Sequence, residues 1–236
     1  MAALAALAPI VLPVRIIATA ALALAIPIFL VASGVRWVAL GESFYVEEFA
    51  RYRVDTVTGL SRDELQRVAH AFVTYFEAEP GRMDVVVQTA RGPEPLFSER
   101  EILHMVDVQA LLRLISQAWT IALITMIIGS LLIIIVEPAT GGPAVITAAA
   151  VGGGVSVVLI GLLGAASFLD FSRIFYQFHQ LSFSNDLWLL DPSRDRLIQL
   201  FPTGFFFDAA IRIAVQTVVL GVVILAASVG ALRSMR

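Results

Sequence analysis

The sequence predicts a mainly α, polytopic membrane protein: four transmembrane helices and a small α+β extracytoplasmic cap. Three observations predict it. Of 236 residues, 58% are hydrophobic and only 15% charged, with mean hydropathy +0.86. A soluble domain lies nearer about 45–50% apolar and about 25% charged, so lipid rather than water must cover the excess. Charged residues are also missing from four long runs, between Arg15 and Arg36, Arg113 and Glu137, Glu137 and Asp170, and Arg212 and Arg233. About 20 apolar residues suffice to cross a hydrocarbon core. Finally, the polar residues between spans gather in two stretches, 37–98 and 170–204, which the even number of spans places on one side of the membrane.

Composition removes several classes of function. Net charge is −3, and all 16 basic residues are Arg, too few and too scattered for a nucleic-acid surface. Cysteine is absent, which excludes disulfides, a thiol nucleophile and thiolate metal sites.

Residues 1–36 hold an N-terminal segment and the first span. A signal peptide wants a charged n-region and a short apolar core; here Met1–Val14 is uncharged and the run after Arg15 is full length, so this helix is expected to stay uncleaved. Residues 37–98 form the cap. Leu60–Phe76 reads as an amphipathic helix with Ser61 as N-cap, Glu64 at capping-box spacing and an apolar stripe of Leu65, Val68, Phe72 and Phe76. Glu79-Pro80-Gly81 stops it. Asp84–Thr89 reads as a strand closed by Arg91-Gly92-Pro93.

A second capping box, Ser98-Glu99-Arg100-Glu101, opens the long helix 99–136, which contains the second span. At 1.5 Å per residue it is roughly 57 Å long, more than a bilayer core, so its first turns project outward. Residues 137–169 hold the turn Pro138-Ala139-Thr140-Gly141-Gly142-Pro143 and the third span, whose glycines (Gly152, Gly153, Gly154, Gly161, Gly164) permit close helix packing. Residues 170–204 form an aromatic interfacial segment. Residues 205–236 supply the fourth span and a tail, with Asp208 and Arg212 at helix-pair spacing. Arg15, Arg233 and Arg236 are the positive charges that place both termini in the cytoplasm.

The candidate chemistry lies in the two outward stretches. His104 and Asp107 share one helix face, and His179 precedes Asn185 and Asp186. An aspartate that fixes a histidine tautomer is the usual second member of an acid–base pair, which suggests Asp107 for His104 and Asp186 for His179. His70 reads as an exposed helix residue. Arg173, Arg194 and Arg196 read as ion-pair partners of Asp170, Asp191 and Asp195. No Gly-x-Ser-x-Gly elbow, His-Glu-x-x-His or Asp-x-Asp motif occurs.

Two segments carry a family resemblance. One is Phe97-Ser98-Glu99-Arg100-Glu101-Ile102-Leu103-His104-Met105-Val106-Asp107-Val108. The other is Phe178-His179 with Phe183-Ser184-Asn185-Asp186-Leu187-Trp188-Leu189-Leu190-Asp191-Pro192, Leu197–Pro202 and Phe205–Asp208. Together with the four-span layout they resemble the bacterial lipoprotein intramolecular transacylase (Lit) family. The resemblance implies an acyltransferase of the bacterial cell membrane, its site at the outer face. Its substrate would be a lipoprotein with a diacylglyceryl-Cys N-terminus, whose sn-2 acyl chain moves to its own α-amine. It further implies His104 and His179 as catalytic residues; the residues themselves suggest Asp107, Tyr176, Asn185, Asp186, Trp188 and Asp208 in support, membrane phospholipid as the surrounding partner, and neither cofactor nor metal. Tyr176, Asn185 or a backbone N–H could steady an oxyanion. Two alternatives stay open: a metal-dependent membrane lipid hydrolase drawing on His104, His179, Asp107, Asp186 and Asp208, and a non-catalytic membrane scaffold or sensor.

Overall fold

The computed structural model describes residues 2–89 and 92–235. Arg91 and Arg236, used above in a turn and as a terminal charge, lie outside them. In chain order the elements are α1 (Ala2–Ala39), α2 (Glu42–Arg51), α3 (Val54–Thr58), α4 (Arg62–Glu77), β1 (Val86–Thr89), β2 (Gly92–Pro95), α5 (Glu99–Val136), α6 (Gly141–Ser182), α7 (Arg196–Leu200) and α8 (Thr203–Ser234). Four of these, α1, α5, α6 and α8, are long and apolar enough to cross a membrane.

The chain divides into two compact units. The first comprises the chain up to Gly34, Ser116–Ala165 and the chain from Ile213, which holds most of each charge-free run. Its helices meet through small residues. A Cβ on Gly152 would lie 2.8 Å from the Ala23 carbonyl oxygen, and one on Gly153 would lie 2.8 Å from that of Gly221. Backbones this close gain dispersion contacts, the main attraction left to helices in lipid. Gly154 and Gly161, expected to serve the same purpose, have nothing within 4 Å. Ala18, Leu22, Ile133 and Ala148 form a buried cluster, and Trp119 Nε1 donates to Ser33 Oγ at 2.8 Å. Ile17, Ile135, Leu162 and other large apolar side chains are exposed, the surface expected of a unit solvated by hydrocarbon. Between α5 and α6 the turn is as tight as predicted. A Cβ on Gly141 would sit 2.6 Å from the Ile133 carbonyl oxygen, so only glycine fits there.

The second unit comprises Val35–Ile115 and Ala166–Arg212. Its core is aromatic: Tyr45, Phe49, Phe72, Phe201 and Phe205 are buried, with Phe72 and Phe201 edge to face at 4.7 Å. In α4, Leu65, Val68 and Phe72 of the predicted stripe are buried, as amphipathic spacing requires. The Ser61 hydroxyl accepts from Glu64 N at 3.2 Å. Gln109 is buried and ties α5 to the turn after α4, donating to the Tyr75 carbonyl at 2.6 Å and accepting from Gly81 N at 3.2 Å.

Several boundaries move. The strand starts at Val86 and pairs antiparallel with β2, Thr89 opposite Gly92; Gly92-Pro93, read as a terminator, begins a second strand. The helix of the third span does not end at Leu169. It continues to Ser182 through a break at Asp170 (φ −157°, ψ 80°). There Asp170 Oδ1 accepts from Arg173 N at 3.0 Å, an N-cap for a fresh half-helix. The last helix begins at Thr203, two residues early.

Candidate active site

The site belongs to the second unit and is built on one face of α5. Arg100, His104 and Asp107 are four and three residues apart, so their side chains rise from the same face. The capping box aims this helix. Glu101 is buried; its Oε2 accepts from the Ser98 amide and hydroxyl, each at 2.7 Å, and its Oε1 accepts from Leu197 N at 2.6 Å. One carboxylate thus fixes the start of α5 to the start of α7.

The half-helix after Asp170 supplies the second histidine. Phe175 and His179 are one turn apart, and His179 Nδ1 lies 2.8 Å from the Phe175 carbonyl oxygen. A carbonyl only accepts, so Nδ1 carries the proton and Nε2 presents a lone pair. The His104 and His179 ring centroids are 6.1 Å apart. Phe183 packs edge-on to His104 at 5.1 Å, and Trp188 lies over His179 at 5.0 Å. Tyr176 stands edge-on to Trp188 at 5.2 Å, and Phe175 closes on His179 at 4.4 Å.

The turn carrying Trp188 is held to α5 at two points. Asn185 Nδ2 donates to Asp107 Oδ2 at 2.9 Å, while Asn185 Oδ1 accepts from Leu187 N at 3.0 Å. On the other side of His104, Arg100 Nη2 donates to the Asp186 carbonyl.

This corrects two expected pairings. Asp107 does not hydrogen-bond His104 Nδ1, which has no partner; its Oδ2 accepts from Asn185 instead. Asp186 does not orient His179; the Phe175 carbonyl does, while Asp186 contributes its backbone carbonyl. His104 Nδ1 is buried without a hydrogen-bond partner. Asp208 is drawn into a different cluster. It accepts from Tyr52 OH at 2.8 Å and pairs with Arg51 at 3.6 Å, whereas Arg212 pairs with Glu47 at 2.6 Å rather than with Asp208. Arg194 pairs with Asp191 and Asp195, but Arg196 donates to the Thr58 carbonyl and to Gln199. His70 is exposed and contacts Glu42 at 2.9 Å.

Both histidines lie outside the charge-free spans, and both resist protonation. Burial pushes His104 down to about 4; the neighbouring His179 and Arg100 add to this, and Asp107 opposes it. Burial also lowers His179, against the opposing pull of the Phe175 carbonyl. Two neutral rings side by side can take a proton on one and release one from the other. The five groups considered as metal ligands do not converge: among the described residues, no three His, Asp or Glu side chains come together in a cluster able to hold an ion.

Sequence reasoning missed Arg100 and Glu101 as parts of the site. Glu101 was visible only as a capping residue, and nothing in the sequence joins it to Leu197. Arg100 carried a weaker signal: it sits one turn before His104.

Comparison with known proteins agrees with the fold. A family model described as lipoprotein intramolecular transacylase Lit matches residues 20–206. An uncharacterised protein of Aquifex aeolicus is 22% identical over 189 residues, covering 80% of this chain and 82% of that one. The crystal structure of the membrane-integral transacylase Lit from Bacillus cereus superposes with a TM-score of 0.80 at 20% identity, covering 94% of this chain and 97% of that one. A variant of that enzyme with one histidine replaced by alanine gives 0.73, covering 94% and 95%.

Proposed function

The chain belongs to the lipoprotein intramolecular transacylase (Lit) family, and from that premise we propose that it transfers the sn-2 acyl chain of a diacylglyceryl-cysteine lipoprotein to that lipoprotein's own N-terminal amine. The acyl carbonyl carbon forms a bond to the amine nitrogen and loses its bond to the glycerol oxygen. The amine proton ends on that oxygen. The product is a lyso-form lipoprotein, N-acylated and with one glyceryl chain fewer.

The observation that carries this reading is the pair of imidazole rings 6.1 Å apart in an aromatic enclosure. The reaction needs one nitrogen to accept a proton and one N–H to donate. His179, protonated at Nδ1, offers its Nε2 lone pair as base toward the attacking amine. At His104, a buried N–H without an acceptor would cost more than a bare lone pair, which favours an unprotonated Nδ1 and an Nε2–H. The two rings then hold opposite tautomers, and His104 is the donor to the departing glycerol oxygen. Donor and acceptor groups reside in one substrate molecule, so positioning supplies much of the rate and no enzyme nucleophile is required. The aromatic rings crowd the pair and leave less room for water, which would compete with the amine for the ester.

The positive charges Arg15 and Arg233 support cytoplasmic termini, and with an even number of spans this supports a site at the outer face of the bacterial cell membrane. The test is mass spectrometry of a lipoprotein's N-terminal peptide after co-expression with the wild type, His104→Ala or His179→Ala. The expected product is isobaric with the diacylglyceryl form but carries an acylated amine, and it disappears in both variants. A well-expressed wild type that leaves the peptide unchanged would sink the reading, and activity surviving in both variants would sink the roles given to the histidines.

A further inference from the structure

The guanidinium of Arg100 is a cation at the edge of the histidine pair with an unspent donor. Its Nη2 is occupied by the Asp186 carbonyl. Its Nε is buried and has no hydrogen-bond partner. A buried guanidinium N–H left unmade is costly, and such orphans in native proteins usually have a reason. Arg100 lies one helical turn from His104, close enough for its charge to be felt there. Its Nη2 is tied to the turn that carries Trp188, so the guanidinium, with Nε in it, is held in place before any substrate arrives.

The candidate oxyanion donors suggested by sequence are less well placed for the role. The Asn185 amide is engaged at both ends, by Asp107 and by Leu187 N. Tyr176 has its ring against Trp188, and its hydroxyl accepts from Gln180 at 3.4 Å.

Building on the transacylase reading, we propose that Arg100 is a third catalytic residue, its Nε donating a hydrogen bond to the carbonyl oxygen of the sn-2 ester as that oxygen becomes an oxyanion. A preorganised cation beside developing charge is a strong form of such stabilisation. The same fixed positive charge disfavours the ammonium form of the substrate's N-terminus and so favours the neutral amine that attacks.

Arg100 also clamps the 185–188 turn, so the experiment separates chemistry from scaffolding. Purified wild type, Arg100→Gln and Arg100→Lys are assayed on a synthetic diacylglyceryl-Cys peptide and on its analogue with the sn-2 carbonyl oxygen replaced by sulfur, a poor hydrogen-bond acceptor. For Arg100→Gln the expected loss in kcat on the oxo-ester is on the order of 10²-fold, with a much smaller loss on the thiono-ester. Arg100→Lys, which keeps the charge but lacks Nε, falls between. Equal losses on both substrates would mean that Arg100 only holds the turn, and this would overturn the proposal. Wild-type kcat in Arg100→Gln would overturn it as well. A wild type inactive on both esters would instead bring down the transacylase reading itself, and this inference with it.

Discussion

At the scale of single residues, the site works through what its polar atoms lack. His179 is told which nitrogen to protonate by one carbonyl, and His104 Nδ1 is buried with no hydrogen-bond partner. Both are harder to protonate than a free imidazole, whose pKa is about 6.5. A group whose folded pKa is depressed binds protons more readily when unfolded. Its contribution to stability is therefore present above about pH 6.5 and is lost as pH falls toward the folded value. NMR titration of ring-labelled protein in nanodiscs should show both midpoints below 6.5, with His104 near 4. A midpoint at or above 6.5 for His104 would contradict the buried, unpartnered geometry. The histidines and Asp107, Asn185 and Trp188 were all legible as polar or aromatic residues at one depth. The pairings were not, because a sequence shows which groups share a face and not which carbonyl a ring will find first.

At the scale of elements, the sequence was most legible where one physical rule acts alone. Charge-free runs gave the four spans, and Ser61 and Ser98 gave two helix starts. It was least legible where tertiary contacts override local preference. The stretch after Asp170 reads as an interfacial segment because it is aromatic, and that composition does not reveal the half-helix that the Asp170 carboxylate caps and that carries His179. Likewise α2, α3 and α7 are too short to announce themselves by periodicity, and they exist because Phe44, Phe49, Val54 and Leu200 are buried in a shared core. Two predictions belong here. Glu101→Ala removes three hydrogen bonds and strands the buried Leu197 amide, at a cost of roughly 2–4 kcal/mol. Hydrogen exchange at Leu197 should accelerate sharply, and unchanged protection would show that the carboxylate does not join α5 to α7. Asp170→Ala should lose about 1 kcal/mol of half-helix stability and reduce kcat through a misplaced His179. Full activity would mean that the break positions nothing.

For the molecule as a whole, the conspicuous liability is Glu48. It is fully buried and neither carboxylate oxygen has a hydrogen bond, although Arg51 Nε lies 3.4 Å from it and Arg212 3.9 Å. Burial, then the neighbouring Asp208, push it up to about 7 from an ordinary 4.5, against the pull of Arg51 and Arg212. A carboxyl raised on folding favours its protonated form, so the stability it allows is complete below about pH 4.5 and is lost as pH rises through 7. Glu48→Gln keeps the shape and removes the charge. Relative to wild type, its thermal midpoint should be similar at pH 5 and higher at pH 8; parallel curves would show that Glu48 ionises without penalty.

The break at Asp170 leaves the half-helix of His179 with bare flanks: Leu169 and Leu181 are almost fully exposed, at 88% and 89%. Water would make these two side chains expensive, whereas acyl chains would not. On the transacylase reading, a lipoprotein meeting this flank would keep its tails in the hydrocarbon and deliver only its head to the rings. The encounter is then a search across a surface rather than through a volume. Diluting the substrate with inert phospholipid should slow turnover in proportion to its mole fraction, while diluting the whole suspension with buffer should leave it unchanged.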